Sequence, residues 1–253
     1  MARRRFFVDA VRDSRAVLAG EDARHLRQVL RAEIGQRFEL SDNRSVYMAE
    51  VESLAKDRVS FRVLEELAVA PPPVRLTLLL ALIKFDRFEW ALEKATELGV
   101  ETVLPVQAER SERGLDRAAA KRLDRWRKIV RQSSQQARRA RLPEVLPPAP
   151  LGEALAGASS YSCFLEERSD ARPILAALPS RRQLSDRVRL LVGPEGGWTD
   201  AERARVRQAG WTPVSLGPTI LRTETAAIAA LAVVSAAWLE SASVDSPLSR
   251  PLS

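Results

Sequence analysis

Apolar strand-like segments alternate with helical segments over most of this sequence, and this alternation constrains the fold more than any other feature. The apolar segments lie at residues 74–83, 100–106, 161–165, 188–192 and 212–216, with helical patterns such as 86–98 and 223–239 between them. Strands of a parallel sheet are covered on both faces by helices, so they appear in sequence as nearly continuous apolar runs. Residues 74–240 therefore predict an α/β domain with a parallel sheet and helices on both faces.

The first 70 residues follow a different pattern. Polar and apolar residues alternate with a period of two at 37–40, 46–51 and 59–63, which predicts strands with one face on a core. A helix is predicted at 21–31, and together these segments indicate a small, partly closed β-barrel. Three prolines at 71–73 form an extended linker that marks the domain boundary. The last segment, 241–253, is expected to be a disordered tail.

The charge balance indicates a polyanionic partner. The chain has 40 Lys and Arg against 33 Asp and Glu, a net charge of +7, and each phosphate that a basic protein neutralises releases condensed counterions. Nucleic acid is the first partner to consider, and an anionic membrane surface is the alternative. The charges concentrate in a predicted helix at 116–138: nine Lys or Arg and one acid lie between Lys121 and Arg141. This face suits phosphate binding, although it also fits an ordinary solvated helix surface.

Several common chemistries are excluded by composition. One cysteine and one histidine, Cys163 and His25, rule out an internal disulfide, a multi-cysteine or histidine-rich metal site and, without a G-x-S-x-G turn, a Ser-His-Asp triad. No leader-like apolar region and no run of about 18 apolar residues is found. We therefore expect a cytoplasmic protein with no bound metal and no membrane association.

Two glycine- and proline-containing loops each follow a predicted strand. They occupy residues 193–197 and 217–222, and each leads into a helix, the first through a capping box at Thr199 and Glu202. Ligands of open α/β sheets bind beyond the carboxyl ends of strands, where glycine lets the backbone approach them closely. We expect the two loops to share one ligand pocket, with the strand end near Leu104 as a further wall. A tight strand-to-helix turn explains the first loop equally well, and helix stabilisation explains Glu224. Neither a dinucleotide fingerprint nor a P-loop is present.

The motifs taken together resemble those of the SPOUT methyltransferases and, within them, the RsmE-type family, which methylates N3 of a uridine in small-subunit ribosomal RNA. The resemblance rests chiefly on residues 191–197 and 216–226, supported by 25–31, 94–100 and 126–129. It implies S-adenosylmethionine (SAM) as cofactor, ribosomal RNA within the small subunit as partner, and a homodimer. It also implies a deep trefoil knot in the SPOUT domain and a PUA-like N-terminal barrel that binds RNA.

The resemblance and the loop chemistry together give a set of candidate site residues. The residues expected to bind the cofactor are Leu104, Val192, Gly193, Pro194, Glu195, Gly196, Gly197, Leu216, Gly217, Ile220, Leu221, Thr223, Thr225 and Ala226. The residues expected to bind RNA are Arg4, Arg5, His25, Arg27, Arg31, Arg110, Arg138 and Arg139. For catalysis we expect Arg222 and Arg139 to stabilise negative charge on the uracil, and Glu224 or Glu195 to accept its proton. The chain departs from many relatives at Gln135, where they carry Glu.

Two other interpretations remain open at the level of sequence. One is an RNA-binding assembly factor that has lost catalysis, which would fail to bind SAM in a calorimetric titration. The other is a SPOUT enzyme that acts on transfer RNA or on a ribose hydroxyl. The intact loops argue against the first, and the N-terminal barrel argues against the second.

Overall fold

The computed structural model describes residues 5–112, 114–168 and 171–244, which form two compact units. The first unit contains the chain up to Ala70 together with the segment Arg131–Leu142. The second contains Pro71–Val130 and the chain from Pro143 onwards. The candidate Arg4 and the predicted tail beyond residue 244 lie outside the described residues.

The first unit is built on one six-stranded sheet. Its elements are β1 (Arg5–Phe7), β2 (Val11–Arg12), β3 (Arg15–Ala19), α1 (Gly20–Gln28), β4 (Arg37–Ser41), β5 (Val46–Leu54) and β6 (Arg58–Leu67). The strand order is β1-β4-β5-β6-β3-β2, with every pair antiparallel except β1 and β4. The predicted strands correspond to β4, β5 and β6, whereas the first three strands were not predicted.

An aromatic cluster forms the centre of this unit. Phe6, Phe38 and Phe61 are buried and meet edge to face, with ring centroids 5.9 and 6.4 Å apart. The later segment of the unit is bound to β4 and the turn after it: the Ser41 hydroxyl donates to the carbonyl of Ala140 at 2.6 Å, and the amide of Leu142 donates to Asn43 at 2.7 Å. These bonds explain why residues 131–142 group with a unit that lies far away in sequence.

The second unit contains eight strands and most of the helices. Its elements, in chain order, are β7 (Arg75–Ala81), α2 (Phe85–Glu97), β8 (Thr102–Gln107), α3 (Leu115–Ala120), α4 (Leu123–Gln136, whose last residues belong to the first unit), β9 (Glu144–Val145), β10 (Ala149–Pro150), α5 (Leu151–Ala154), β11 (Tyr161–Leu165), β12 (Arg172–Pro173), α6 (Ile174–Ala177), β13 (Arg187–Val192), α7 (Asp200–Gln208), β14 (Thr212–Ser215) and α8 (Thr223–Val244).

All described strand pairs of the second unit are parallel, which confirms the predicted α/β class. The order is β10-β8-β7-β13-β11-β14-β12, with β9 also beside β8. The central strands β7 and β13 are almost entirely buried, as expected when helices cover both faces of a sheet. The predicted capping box is present at the start of α7, where Thr199 and Glu202 bond to each other's backbone amides.

The predicted single basic helix at 116–138 is wrong in its continuity, because the chain breaks it into α3 and α4. At the break, the Arg122 guanidinium lies 4.3 Å from the ring centroid of Phe85 and 2.9 Å from Glu89, while Arg125 binds the same carboxylate at 2.8 Å. Burial alone would raise the pKa of Glu89, but the hydrogen bonds from these two arginines lower it overall. One face of α4 packs in the core, since Trp126 and Val130 are buried.

Helix α8 extends to Val244, so it includes the first four residues of the segment that was expected to be disordered. Its window Thr223–Glu240 has a mean hydropathy of 1.3, and by length and composition alone this helix is able to cross a membrane. Half of that window is buried inside the protein, and Leu231, Val234 and Trp238 belong to the main core cluster. These contacts explain the apolar composition of α8 as that of a core helix.

We predict that Cys163 does not react with thiol reagents in the folded protein. Burial in β11 raises the pKa of this thiol to about 11, so only about a thousandth of it is thiolate at pH 8. Ellman's reagent at pH 8 should label no cysteine in native protein and one equivalent in guanidinium chloride. Rapid labelling of the native protein would show that β11 opens to solvent.

Candidate functional site

The carboxyl ends of three neighbouring strands open into one cavity. Strand β11 pairs with β13 on one side and with β14 on the other, all in parallel, so their following loops emerge at the same edge of the sheet. The cavity has a volume of about 790 Å³, part of it open to solvent. Its lining consists of Leu165, Glu166, Glu167, Val192, Gly193, Pro194, Glu195, Gly197, Trp198, Arg203, Val214, Ser215, Leu216, Gly217, Pro218, Thr219, Ile220, Leu221, Thr223 and Ala226.

The loop after β13 is shaped by a close approach between backbone and indole. A Cβ atom added to Gly193 would lie 2.9 Å from the ring of Trp198, so no larger residue fits without displacing that ring. The indole is buried, and its Nε1 donates to the carbonyl of Leu165 at 3.2 Å, which joins this loop to the end of β11. Gly197 adopts a φ of 68°, a left-handed conformation that favours glycine. The loop therefore has a fixed shape that its glycines make possible.

The loop after β14 contributes residues 216–221 to the lining of the cavity. Gly217 has a φ of 132°, and its amide is bound by the side chain of Ser215 at 3.2 Å. Within the described chain, the amides of Thr219, Ile220 and Leu221 donate no hydrogen bond to another residue. The two loops are joined where α8 begins, because the Thr223 hydroxyl donates to the carbonyl of Gly193 at 3.0 Å. Such amides are suited to bind acceptor atoms of a ligand.

The end of β11 supplies charged groups that the sequence analysis did not include. Glu166 is buried, with a side chain 1% exposed, and its Oε2 lies 2.6 Å from Nε of Arg203. Burial would lower the pKa of Arg203, but the hydrogen bond to Glu166 raises it overall. The neighbouring Glu167 is exposed and lines the cavity. Carboxylates thus occupy the wall between the two predicted loops.

The structure brings most of the predicted cofactor-binding residues together and leaves three of them out. Every candidate from the two loops lines the cavity except Gly196 and Thr225: the carbonyl of Gly196 accepts a bond from Arg110 at 2.8 Å, and Thr225 is exposed on α8. Leu104 does not line the cavity either, because β8 is separated from β13 by β7 and Leu104 packs on a core cluster. These three residues lie outside the cavity lining, and their role in cofactor binding stays a prediction.

The sequence analysis missed nine residues of the lining: Leu165, Glu166, Glu167, Trp198, Arg203, Val214, Ser215, Pro218 and Thr219. The first three, at the end of β11, reach the cavity because of strand order, whereas the other six lie in or beside the two predicted loops or on α7. The segment 161–165 was predicted as a strand, but nothing local indicates that it lies between the two loop-bearing strands. The local signal for a site there was the pair of acidic residues that follows the strand, but such pairs are also common on ordinary protein surfaces.

The predicted catalytic residues fall in both units. Arg222 is exposed at the end of the second loop, and Glu224 lies next to it in the first turn of α8 with a side chain 7% exposed. Nε of Arg87, on α2, lies 3.9 Å from Oε1 of Glu224, and the same guanidinium hydrogen-bonds Glu195. Arg139 belongs to the first unit, where it is half-buried.

One predicted RNA ligand in the first unit is corrected by its burial. The Arg5 side chain is only 10% exposed, lies 2.7 Å from Glu39 and donates to the carbonyl of Arg138 at 2.6 Å. Its charge is compensated inside the unit, so Arg5 is a structural residue. Arg138 pairs with the other oxygen of Glu39 while its side chain remains 45% exposed.

The other candidates for RNA binding remain accessible. Arg31 is exposed and has a φ of 50°, while His25 and Arg27 on α1 are half-buried. Arg110, in the second unit, is exposed. These side chains are placed so that phosphates can approach them.

Both units match known protein families. Residues 70–235 match the family described as RNA methyltransferase domain, and residues 18–64 match the RNA methyltransferase PUA domain. The chain is 36% identical over 253 residues to a protein named ribosomal RNA small subunit methyltransferase E from Mycobacterium bovis, with 94% of each chain covered. It is 33% identical to the protein of the same name from Bacillus subtilis, with 86% of this chain and 88% of the relative covered.

Solved structures agree with these sequence matches. The ribosomal RNA small subunit methyltransferase E of Neisseria gonorrhoeae, bound to S-adenosyl methionine, superposes with a TM-score of 0.82 at 33% identity, covering 93% of this chain and 98% of that one. A putative methyltransferase from Legionella pneumophila, in complex with the cofactor SAM, gives 0.84 at 30% identity, covering 94% and 98%.

We predict that Gly193→Ala destabilises the second unit. The new methyl group must displace the buried indole of Trp198, and overpacking of this kind costs about 1–3 kcal/mol. Urea denaturation followed by circular dichroism should show that loss in the free energy of unfolding. Gly152→Ala in α5 is the control, because its Cβ would meet only Arg205 at an ordinary 3.7 Å. Equal stability of the two variants would contradict the close approach at Gly193.

Proposed function

This chain belongs to the RNA methyltransferase family that includes ribosomal RNA small subunit methyltransferase E, and we propose that it transfers a methyl group from SAM to N3 of a uridine in 16S ribosomal RNA. The observation that carries the proposal is the single cavity formed by the loops after β13 and β14 with the end of β11. The cavity lies at the strand ends where ligands of such sheets bind.

The cavity residues fit SAM in their chemistry. Val192, Val214, Leu216 and Ala226 offer apolar walls for the adenine ring. The free amides of residues 219–221 suit acceptor atoms of the ligand, and carboxylates suit ribose hydroxyls.

The charge of the lining also matches this ligand. The charged residues of the cavity wall are Glu166, Glu167, Glu195 and Arg203, three carboxylates against one guanidinium. SAM carries a sulfonium and an ammonium group against one carboxylate, and the exposed Glu167 at the end of β11 is placed to attract this net positive charge. Bound SAM supplies an already activated methyl group, and the protein has the task of orienting the acceptor. Orientation of this kind contributes roughly 7–11 kcal/mol to lowering a barrier.

The remaining parts of the proposal concern RNA and assembly. Arg222 and Arg139 stabilise negative charge that develops on the uracil oxygens, and Glu224 or Glu195 receives the N3 proton. His25, Arg27, Arg31, Arg110, Arg138 and Arg139 contact phosphates, while the target base is splayed out of its stack. A trefoil knot, a homodimer and a cytoplasmic location belong to the same proposal, on the strength of the family.

The direct test of function is methylation of defined RNA. Purified protein, SAM and small-subunit ribosomal RNA, both free and within the assembled subunit, should yield one N3-methyluridine at a single position by nucleotide-resolution mass spectrometry. Methylation of a ribose or of transfer RNA would contradict the proposed substrate, which is N3 of a uridine in 16S ribosomal RNA. Binding of RNA with neither SAM binding nor methyl transfer would favour a non-catalytic assembly factor.

We predict that Arg222→Ala lowers the rate of methyl transfer without loss of folding. Arg222 is exposed, so its removal leaves no cavity, whereas loss of one group that stabilises developing charge costs about 10²–10³ in rate. Single-turnover kinetics with saturating SAM measure the effect. Arg205→Ala, which removes an exposed arginine from α7, serves as the control. Full activity of the Arg222 variant would remove this residue from the mechanism.

We also predict that Arg31→Gln reduces the salt dependence of RNA binding. Each phosphate contact contributes about 0.7–0.9 to the slope of log K against log salt, so loss of one contact should lower that slope by about one. Fluorescence anisotropy over a salt series gives the slope. The control is Arg62→Gln, an exposed arginine that pairs with Glu50 at 2.8 Å on the sheet. An unchanged slope for Arg31→Gln would exclude a phosphate contact there.

A further inference from the structure

Arg87 lies between two carboxylates that come from different segments of the second unit. Arg87 lies in the first turn of α2. Its Nη1 hydrogen-bonds Oε1 of Glu195, and its Nε is 3.9 Å from Oε1 of Glu224. Glu195 belongs to the loop after β13, and Glu224 belongs to the first turn of α8. One guanidinium thus connects three elements at the edge of the cavity.

The two carboxylates differ in what can reach them. The Glu224 side chain is 7% exposed, and its Oε2 is fully buried with no hydrogen-bond partner in the described residues. The Glu195 side chain is 42% exposed and lines the cavity. A substrate that enters the cavity therefore meets Glu195, whereas Glu224 is closed off from it.

Glu224 is held in a way that suits an anchor. Its neighbour Thr223 is bonded to the carbonyl of Gly193, which fixes the start of α8 against the loop. A buried carboxylate is tolerated where a cation and a helix N-terminus offset its charge, and Arg87 and α8 provide both. The inner face of α2 is also fixed, because Phe88, Ala91 and Leu92 are completely buried. The Arg87 guanidinium is consequently restrained from two sides.

Glu195 needs such restraint because its side chain is 42% exposed, although the backbone of its loop has a fixed shape. A long, exposed carboxylate side chain adopts several rotamers unless a partner holds it. A displacement of about 1 Å in a reacting group is enough to cost roughly 10² in rate. A carboxylate on this loop therefore reacts efficiently only if something outside the loop fixes it.

We propose that Glu195 is the carboxylate that accepts the proton of the target N–H, and that Arg87, anchored by Glu224, is the residue that positions it. This assignment rests on the proposed function. The N–H proton passes to Glu195, the electron pair of that bond forms the new bond to the methyl carbon, and the pair of the methyl–sulfur bond stays on sulfur. Of the two candidate acceptors, the geometry selects the accessible one and gives the buried one a supporting role.

The first test separates proton transfer from cofactor binding. Glu195→Gln keeps the shape of the side chain but removes its ability to take a proton, so kcat should fall about 10²–10⁴-fold. The dissociation constant of SAM, measured by calorimetry, should stay within about threefold. A weakened affinity for SAM with unchanged kcat would show that Glu195 binds the cofactor and would overturn the assignment.

The second test asks whether Arg87 acts through Glu195. Arg87→Ala should lower kcat by about 10²-fold, and adding it to Glu195→Gln should lower kcat no further. Residues that act as one unit give this non-additive result, whereas independent residues multiply their effects. Multiplied effects in the double variant would overturn the positioning role.

Two further variants keep the result interpretable. Arg87→Lys retains the charge and should recover part of kcat, which a purely structural defect would not allow. Arg168→Ala removes an exposed arginine that pairs with Asp200 at 2.6 Å, and it should leave kcat unchanged. If the wild-type protein neither binds SAM nor methylates RNA, the proposed function itself fails. If the wild type is active and both the Glu195 and Arg87 variants match it, only this inference fails.

Discussion

The parallel pairing of β11 with both β13 and β14 is the constraint on which the site depends. Because the three strands run in the same direction, their carboxyl ends open at one edge of the sheet, and loops distant in sequence become neighbours. The hydrogen bonds from Trp198 to Leu165 and from Thr223 to Gly193 then join those loops. Strand order therefore creates the ligand pocket, and the glycines allow the backbone conformations of the loops that form its walls.

Charge pairing gives this pocket its second property. Arg203 is buried against Glu166, and Arg87 lies between Glu195 and Glu224. In each case one guanidinium fixes a carboxylate that would otherwise cost free energy to bury or to orient. The lining still has more carboxylates than cations, which suits a cationic ligand. The first unit also contains arginines paired with a carboxylate. Arg5 and Arg138 both bind Glu39, and these ion pairs stabilise the unit itself.

Local patterns in the sequence predicted several elements correctly, because periodicity and capping are local properties. The strand at 161–165 and the capping box at Thr199 both follow from neighbouring residues. Strand order is not local, so Glu166 and Glu167 were missed at the site, and Leu104, which was expected at the cavity wall, does not line it. Charge alone was also insufficient: Arg5 was expected on a phosphate-binding surface, but it pairs with Glu39, which is distant in sequence. The break between α3 and α4 was also missed, and there Arg122 contacts Phe85 and Glu89 of α2.

If one cavity at these strand ends holds the cofactor, a crystal structure of the protein grown with SAM should show electron density for the whole cofactor between the loops after β13 and β14. The polar groups of the cofactor should lie next to the end of β11. Density for SAM elsewhere on the protein, or no density at saturating concentration, would show that this cavity is not the cofactor site.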